Sequence, residues 1–187
     1  MSKGKLFVIS GASGVGKSTV LKQVMDARKD LRFSVSATTR APRPGEVDGE
    51  SYYFVTKSRF EEMIAQNAFL EYDAHMDNFY GTPELQLNEK LETGSVILDI
   101  EPNGAFAVRA KRKDAVLIFI APPSLQALEQ RLRGRGDTEE TQIQLRLARA
   151  RWEMEQGKKY DYTVINDRVE TCANEILRII AEHCDGE

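Results

Sequence analysis

The sequence is poor in several features that mark specialised classes of protein. Its 187 residues include one tryptophan and only two cysteines, Cys172 and Cys184. Two cysteines without C-x-x-C spacing exclude a disulfide framework and favour a reducing, cytoplasmic setting. No apolar run approaches the roughly 20 residues that span a bilayer. The short apolar stretch at 6–9 lacks the pattern of a signal peptide, so none is expected.

An excess of charge of one sign is also missing. The chain has 26 basic and 29 acidic residues, for a formal net charge of −3, which argues against a uniformly basic nucleic-acid binder. Hydrophobic residues make up 41% and charged residues 29%, as in ordinary folded, soluble proteins. We therefore expect one domain with small inserted lobes, and neither nucleic acid nor membrane as a partner.

Four continuous apolar runs alternate with helical periods, and we predict buried strands at 5–10, 95–100, 115–121 and 162–165. Apolar runs separated by helices are typical of a parallel sheet that is covered on both faces, so the fold class is α/β. Helices are expected at about 16–28 and from Ser124 to Gly134. A long polar helix is expected after Asp137, ending at about 156, and a last helix is expected at the end of the chain.

Two acid-containing pairs mark predicted helix starts. Ser58 with Glu61 has the spacing of a capping box, and Asp137 with Glu140 is a second such pair. The segment 33–82 differs from the rest because prolines and glycines precede a strand-like stretch at 51–56. It is interpreted as an inserted lobe.

A glycine-rich segment matches the pattern G-x-x-x-x-G-K-[ST] between a predicted strand and a predicted helix. A chance match over this chain has a probability under about one per cent at average residue usage. Glycines let backbone N–H groups curl around phosphate oxygens, and the helix N-terminus adds partial positive charge. The predicted nucleoside-triphosphate site consists of Gly11, Ala12, Ser13, Gly14, Val15, Gly16, Lys17 and Ser18.

A carboxylate is expected beside this loop. Asp99 ends an apolar strand, and the carboxyl ends of parallel strands lie at one edge of the sheet. There it can hold Mg²⁺ through water, while the Ser18 hydroxyl is a direct Mg²⁺ ligand. A strand-ending aspartate in a plain turn is the alternative.

The inserted lobe contains a candidate phosphate clamp. Arg40 and Arg43 flank Pro42 in a stiff, extended segment, which suits bidentate binding of a phosphate monoester. Tyr52 and Tyr80 can donate hydroxyl hydrogen bonds to the same group, and Glu46 can orient an arginine. A solvated charged loop is the alternative.

Six arginines and no lysine lie between 131 and 151. Arg133 and Arg151 are interpreted as a solvated helical face. Phosphoryl transfer requires neutralisation of charge on the equatorial oxygens, and guanidinium groups on a closing lid supply it. Arg131, Arg135 and Arg146 are therefore the catalytic candidates together with Lys17.

Taken together, these motifs resemble the guanylate kinases, which transfer a phosphoryl group from ATP to GMP. The stretch T-R-A-P-R-P-G-E at 39–46 is specific to that family among phosphate-loop kinases, and the resemblance covers nearly the whole chain. Further matching segments lie at 11–19, 33–54, 69–71, 78–82, 98–101, 119–123, 131–136 and 164–167.

The resemblance implies a parallel-sheet phosphate-loop kinase core at 1–32, 83–123 and 157–187. It places a GMP-binding lobe at about 33–82 and a helical lid at about 124–156. The implied substrates are ATP and GMP or dGMP, with Mg²⁺ as cofactor, in a monomer or homodimer. Two alternatives stay open: a protein-interaction domain of the same fold, and a related kinase for a sugar phosphate.

The resemblance also implies residue roles. Arg40, Arg43, Tyr52 and Tyr80 would bind the GMP phosphate, and guanine would be read by Ser36, Glu71, Thr82 and Glu101. The lid arginines, with Arg149 as a fourth, would contact the ATP phosphates. Thr19, Arg135 and Asn166 would complete the ATP site, the last two near adenine.

One position departs from the family pattern, because Glu101 stands where aspartate is usual. Its extra methylene moves the carboxylate by one C–C bond. An ion pair with an arginine such as Arg40 is therefore the alternative to a guanine contact.

Overall fold

The computed structural model describes residues 4–75, 77–134 and 139–184, with the side chain of His75 left out. These residues form the following elements in chain order: β1 Leu6–Gly11, α1 Lys17–Ala27, β2 Arg32–Phe33, β3 Ala37–Thr38, β4 Tyr53–Phe54, α2 Lys57–Ala65, β5 Phe69–His75, β6 Asn78–Pro83, α3 Glu84–Thr93, β7 Val96–Asp99, α4 Pro102–Lys111, β8 Val116–Ala121, α5 Leu125–Arg133, α6 Glu140–Gly157, β9 Tyr162–Ile165 and α7 Val169–Cys184.

The apolar runs form the centre of a five-stranded parallel sheet in the order β2-β7-β1-β8-β9. Strand β8 is buried along its whole length, and Leu6 to Ser10 of β1 are buried too, because helices cover both faces. The predicted α/β class is confirmed, and strands form at all four predicted runs. The expected burial is wrong for β9, an edge strand in which only Val164 is fully buried. The fifth strand, β2, has only two residues, which is too short for a periodic signal.

The order of these strands places the ends of β1 and β7 side by side. In the parallel register Ile9 lies opposite Asp99, two residues before the glycine-rich loop begins at Gly11. The loop then leads into α1 through Gly14 and Gly16, whose φ angles are 83° and 93°. Side chains with a Cβ rarely adopt this left-handed conformation, so the two glycines permit the tight turn.

A second, four-stranded sheet has the order β4-β3-β6-β5. Its longest pair is the antiparallel hairpin of β5 and β6, and Phe60 of α2 stacks on Phe69 of β5 at 4.4 Å between ring centroids. Sequence reasoning missed this hairpin. Polar residues such as Glu71 and Asp73 have low strand propensity and interrupt the apolar pattern.

The predicted start of α2 is wrong. The helix begins at Lys57, and the Thr56 side chain caps it by accepting a hydrogen bond of 3.1 Å from the Arg59 backbone N–H. Ser58 already lies inside the first turn, so the Ser58–Glu61 pair cannot form a capping box. Thr56 and Ser58 both fit the residue preference of a cap, and only the backbone conformation distinguishes them.

Helices α5 and α6 pack against each other beside the central sheet. Ser124 caps α5 as predicted, accepting a hydrogen bond of 3.0 Å from the Ala127 backbone N–H. Asp137, proposed as a cap of α6, lies outside the described residues. Among the helices of the described ranges, none is both long and apolar enough to cross a membrane.

Candidate active site

The glycine-rich loop lines a cavity at the carboxyl edge of the central sheet. This loop cavity is bordered by the loop, the start of α1, the end of β7, the residue before α4, and α6: residues 11–18, Asp99, Glu101, Gln142, Leu145, Arg146, Arg149 and Glu153. The arrangement brings loop backbone and the N-terminus of α1 to one concave surface, as an anionic phosphate chain requires. Of the predicted lid arginines, Arg146 and Arg149 line it.

Two contacts fix the loop from behind. Nδ2 of the buried Asn166, just after β9, donates a hydrogen bond of 2.8 Å to the Val15 carbonyl oxygen. A Cβ on Gly14 would lie 2.8 Å from the Leu132 side chain of α5, so the loop and that helix are in close contact. Asn166 therefore supports the loop backbone, and the position near adenine that the resemblance implies for it stays a prediction.

Lys17 and Asp99 form an ion pair at the mouth of the loop cavity. Lys17 begins α1 and Asp99 ends β7, so their contact follows from the neighbouring positions of β1 and β7. Oδ1 of Asp99 is shielded from solvent and accepts no hydrogen bond of good geometry from the described residues, although it forms this ion pair. Lys17 thus occupies Oδ1 of this carboxylate at the carboxyl edge of the central sheet.

A second cavity opens between the central sheet and the second sheet. This lobe cavity is lined by the start of α1, by residues in and beside the second sheet, by the end of β7 with the two residues after it, and by α4: Lys17, Ser36, Tyr52, Glu71, Asp73, Tyr80, Gly81, Asp99, Ile100, Glu101 and Gly104. Seven of these are predicted site residues from distant parts of the sequence: Lys17, Ser36, Tyr52, Glu71, Tyr80, Asp99 and Glu101. Lys17, Asp99 and Glu101 also line the loop cavity, so the two cavities meet there.

Glu71 is the most deeply buried acid of the lobe cavity, with 6% of its surface exposed. Its Oε1 accepts a hydrogen bond of 2.5 Å from the Thr82 hydroxyl, and burial raises the pKa of its carboxyl group. A Cβ on Gly104 would lie 2.9 Å from Oε2 of Glu71, so only glycine leaves this oxygen its space. Gly104 was not predicted as a site residue. Its position inside a helix, where glycine is unfavourable, is the signal that could have identified it.

Arg40 is held by Glu46 through two parallel hydrogen bonds of 2.8 and 3.0 Å. Glu46 also accepts a bond of 2.7 Å from the Arg43 backbone N–H, and the Arg40 guanidinium lies 5.4 Å from the ring centroid of Tyr52. The hydrogen bonds from Arg40 have the largest effect on the pKa of Glu46 and hold it below its usual range, and the Arg43 backbone N–H acts in the same direction. Glu46 thus orients an arginine beside the cavity.

The structure does not bring every predicted residue to a cavity wall. Arg131 donates to the carbonyl oxygens of Asn166 and Asp167, at 2.8 and 3.1 Å. Thr19, Arg40, Arg43, Glu46 and Thr82 are likewise outside the described cavity linings. Arg135 lies outside the described residues.

The partner expected for Glu101 is corrected. Its carboxylate forms an ion pair with Arg149 of α6, while Arg40 is occupied by Glu46. Arg149 also donates to Glu153 at 3.0 Å, and Glu153 was not predicted as a site residue. A spacing of four residues between Arg149 and Glu153 is the signal for such a pair within a helix.

A phosphate loop after the central strand of a parallel sheet, joined at its lysine to a second polar cavity, defines the class of phosphate-loop kinases. Within that class the chain belongs to the guanylate kinase family, since a family model described as Guanylate kinase matches residues 3–183. The resemblance seen in the sequence is thereby confirmed.

Individual relatives agree over nearly the whole chain. The guanylate kinase of Rubrobacter xylanophilus is 47% identical over 181 residues, covering 96% of this chain and 95% of that protein. The guanylate kinase of Lactiplantibacillus plantarum is 48% identical over 180 residues, covering 95% and 87%. The crystal structure of guanylate kinase from Anaplasma phagocytophilum matches with a TM-score of 0.78 at 32% identity, covering 98% of this chain and 88% of that one.

Proposed function

We propose that this protein transfers the γ-phosphoryl group of Mg²⁺-bound ATP to GMP, with dGMP as a second acceptor. The observation that carries this proposal is the junction of the two cavities. Lys17, Asp99 and Glu101 line both of them, so a triphosphate in the loop cavity and a monophosphate in the lobe cavity would meet at Lys17. Transfer between two bound nucleotides requires such a meeting point.

Guanine recognition is assigned to the buried end of the lobe cavity. Guanine has N1–H and 2-amino donors, which an ionised Glu71 accepts, while hydroxyl groups such as that of Ser36 donate to its O6 and N7. Adenine presents the reverse pattern at positions 1 and 6. Thr82 already donates to Oε1 of Glu71, so a bound adenine would leave Oε2 of this buried carboxylate without a donor, and the affinity for an adenine nucleotide should be lower.

The GMP phosphate is assigned to the segment that begins at Arg40. Glu46 fixes the Arg40 guanidinium before any phosphate binds, so less side-chain freedom is lost on binding. Tyr52 and Tyr80 lie at the same end of the lobe cavity, with ring centroids 6.1 Å apart, and their hydroxyls can donate to the phosphate.

Mg²⁺ fits the donor set at the loop cavity. Ser18 supplies a hydroxyl and Asp99 a carboxylate to the same cavity, and Mg²⁺ typically takes one or two such ligands besides water and substrate phosphates. Within the described ranges, no three His, Cys, Asp or Glu side chains are grouped as a metal cage. When bound, the ion would neutralise charge on the ATP phosphates.

Electrostatic stabilisation of transfer is assigned to Lys17 and the arginines of 124–156. Arg146 of α6 faces the loop cavity, where a guanidinium can neutralise the equatorial oxygens. Arg131 and Arg135 complete the proposed set. The GMP phosphate is itself an oxyanion, so transfer does not depend on a side chain that removes a proton.

The same proposal assigns 33–82 as the GMP-binding lobe, 124–156 as the lid and the remainder as the core. The second sheet, which spans 37–83, supports the lobe assignment. We assign the protein to the cytoplasm as a monomer or homodimer. Both cysteines being free agrees with a reducing setting.

A coupled assay of ADP release, run with ATP, Mg²⁺ and either GMP, dGMP, AMP, CMP or UMP, tests the proposal. Turnover is expected with GMP and dGMP, and kcat/KM for AMP should be on the order of a thousandfold or more lower. Omission of Mg²⁺ should abolish turnover. A protein that binds GMP without releasing ADP would be an interaction domain and would overturn the proposed activity.

A further inference from the structure

A chain of charged contacts runs from the junction of the two cavities to the glycine-rich loop. Glu101 pairs with Arg149, and Nε of Arg149 donates to Oε1 of Glu153 at 3.0 Å. Oε2 of Glu153 then accepts a hydrogen bond of 2.6 Å from the Ser13 backbone N–H. Three separate parts of the chain are thereby connected: the start of α4, the inner face of α6, and the loop.

Glu153 is the fixed member of this network. Its side chain is 4% exposed, and burial raises the pKa of its carboxyl group, while the Ser13 N–H and Arg149 act in the opposite direction. A buried carboxylate is stable only with such partners. Because Glu153 follows Arg149 by one helical turn, it also holds the guanidinium of Arg149 toward the cavity junction.

Glu101 and Arg149 are the exchangeable members. Their side chains are 51% and 34% exposed, and both line the loop cavity. Glu101 lines the lobe cavity as well. A hydrogen-bond donor in the lobe cavity would therefore compete with Arg149 for Glu101, and an anionic group in the loop cavity would compete with Glu101 for Arg149.

We propose that Arg149 couples the two substrate sites through its ion pair with Glu101. The inference rests on the proposed function, with GMP in the lobe cavity and ATP or ADP in the loop cavity. A nucleotide phosphate that attracts Arg149 releases Glu101 for guanine donors, and GMP that engages Glu101 releases Arg149 for phosphates. Whichever nucleotide binds first breaks the pair, so the second binds more tightly.

Thermodynamic linkage makes this coupling reciprocal. A partly exposed ion pair contributes modestly, which corresponds to a coupling of about two- to fivefold in affinity. The expected signature is the GMP dissociation constant without ADP divided by that with saturating Mg²⁺-ADP. ADP and GMP do not exchange a phosphoryl group, so calorimetry measures binding alone.

Three variants separate the coupling role from a structural one. Glu101→Asp keeps the charge but shortens the side chain away from Arg149, and it leaves the Arg149–Glu153 pair in place. Arg149→Met removes the cationic partner of Glu101. Arg151→Met is the matched control, since Arg151 is an exposed arginine on the same helix and loses the same charge.

The ratio is expected to be about two to five in the unmodified protein and in Arg151→Met. It should fall to about one in Glu101→Asp and Arg149→Met. Circular dichroism and thermal unfolding check that each variant is folded.

A ratio of one in the unmodified protein, an unchanged ratio in Glu101→Asp, or an equal loss in Arg151→Met would each overturn the coupling role. These outcomes leave the phosphotransferase assignment in place. Absence of any GMP binding by the unmodified protein is a different result, since it would overturn the proposed function and the coupling with it.

Discussion

The Thr82 hydroxyl donates a hydrogen bond of 2.5 Å to Oε1 of Glu71 across the antiparallel pair of β5 and β6. The two residues lie directly opposite each other in the register, and both are buried. Thr82 therefore orients the Glu71 carboxylate. Gly104 leaves space at Oε2, the oxygen that remains for a ligand in the lobe cavity.

Replacement of Glu71 by glutamine should weaken the recognition of GMP. The amide oxygen accepts only part of what the carboxylate accepts, and a hydrogen bond to a charged group contributes about 1.5–3 kcal/mol. We expect kcat/KM for GMP to fall about ten- to a hundredfold and the ratio of GMP to AMP turnover to narrow. Steady-state kinetics with both nucleotides measure this.

The exposed Glu61 of α2 provides the matched control, since Glu61→Gln removes the same charge at a distance from the lobe cavity. Its kinetics should equal those of the unmodified protein. If Glu71→Gln kept the original ratio of GMP to AMP turnover, Glu71 would not read the base.

As the pH falls, GMP binding should weaken at a higher pH than it would if Glu71 had the pKa of an ordinary carboxyl group. Burial raises the pKa of Glu71 above the reference value of 4.5, so the acceptor is lost by protonation at a pH above that value. GMP dissociation constants measured against pH in the unmodified protein and in Glu71→Gln isolate this effect, because the titration of the GMP phosphate is common to both.

The same shift has a consequence for stability. A carboxyl group with a folded-state pKa above its unfolded value lowers the free energy of unfolding at neutral pH. That penalty disappears as the pH falls through the folded pKa toward the unfolded one. Glu71→Gln should therefore stabilise the protein more at pH 7 than at pH 4, and a pH-independent difference would contradict the shift.

Replacement of Lys17 by alanine should abolish phosphoryl transfer and leave GMP binding intact. Lys17 lies where the two cavities meet, but Glu71, which is assigned to guanine, lies in the second sheet. Turnover is followed by ADP release and binding by calorimetry. A variant that no longer bound GMP would contradict this division of the site.

The cap of α2 is testable through stability. Thr56→Ala removes the acceptor of the Arg59 N–H and should lower the free energy of unfolding by about 1 kcal/mol. Ser58→Ala, two residues along, should change it by less than about 0.5 kcal/mol. Denaturant unfolding of both variants measures the difference, and equal losses would restore Ser58 as part of the cap.

The strands and the loop that carry the phosphate site were predictable because their signals are local. Residues 11–18 match a contiguous pattern, and β1, β7 and β8 are apolar runs whose burial in a parallel sheet leaves a continuous hydrophobic stretch. The hairpin of β5 and β6 had no such signal. Its strands carry buried polar residues of the site, and these disturb the alternation that marks a strand.

The phosphate loop, the α/β class and, by resemblance, the family could be predicted from the amino-acid sequence alone. Each of these depends on residue types at short, defined spacings. The ion pair of Arg149 with Glu101, the contact of Glu153 with the Ser13 N–H and the approach of Gly104 to Glu71 became visible only in the folded structure. These contacts join residues up to 140 positions apart, and the packing of α4 and α6 beside the sheet brings them together. Local propensity contains no information about such distances.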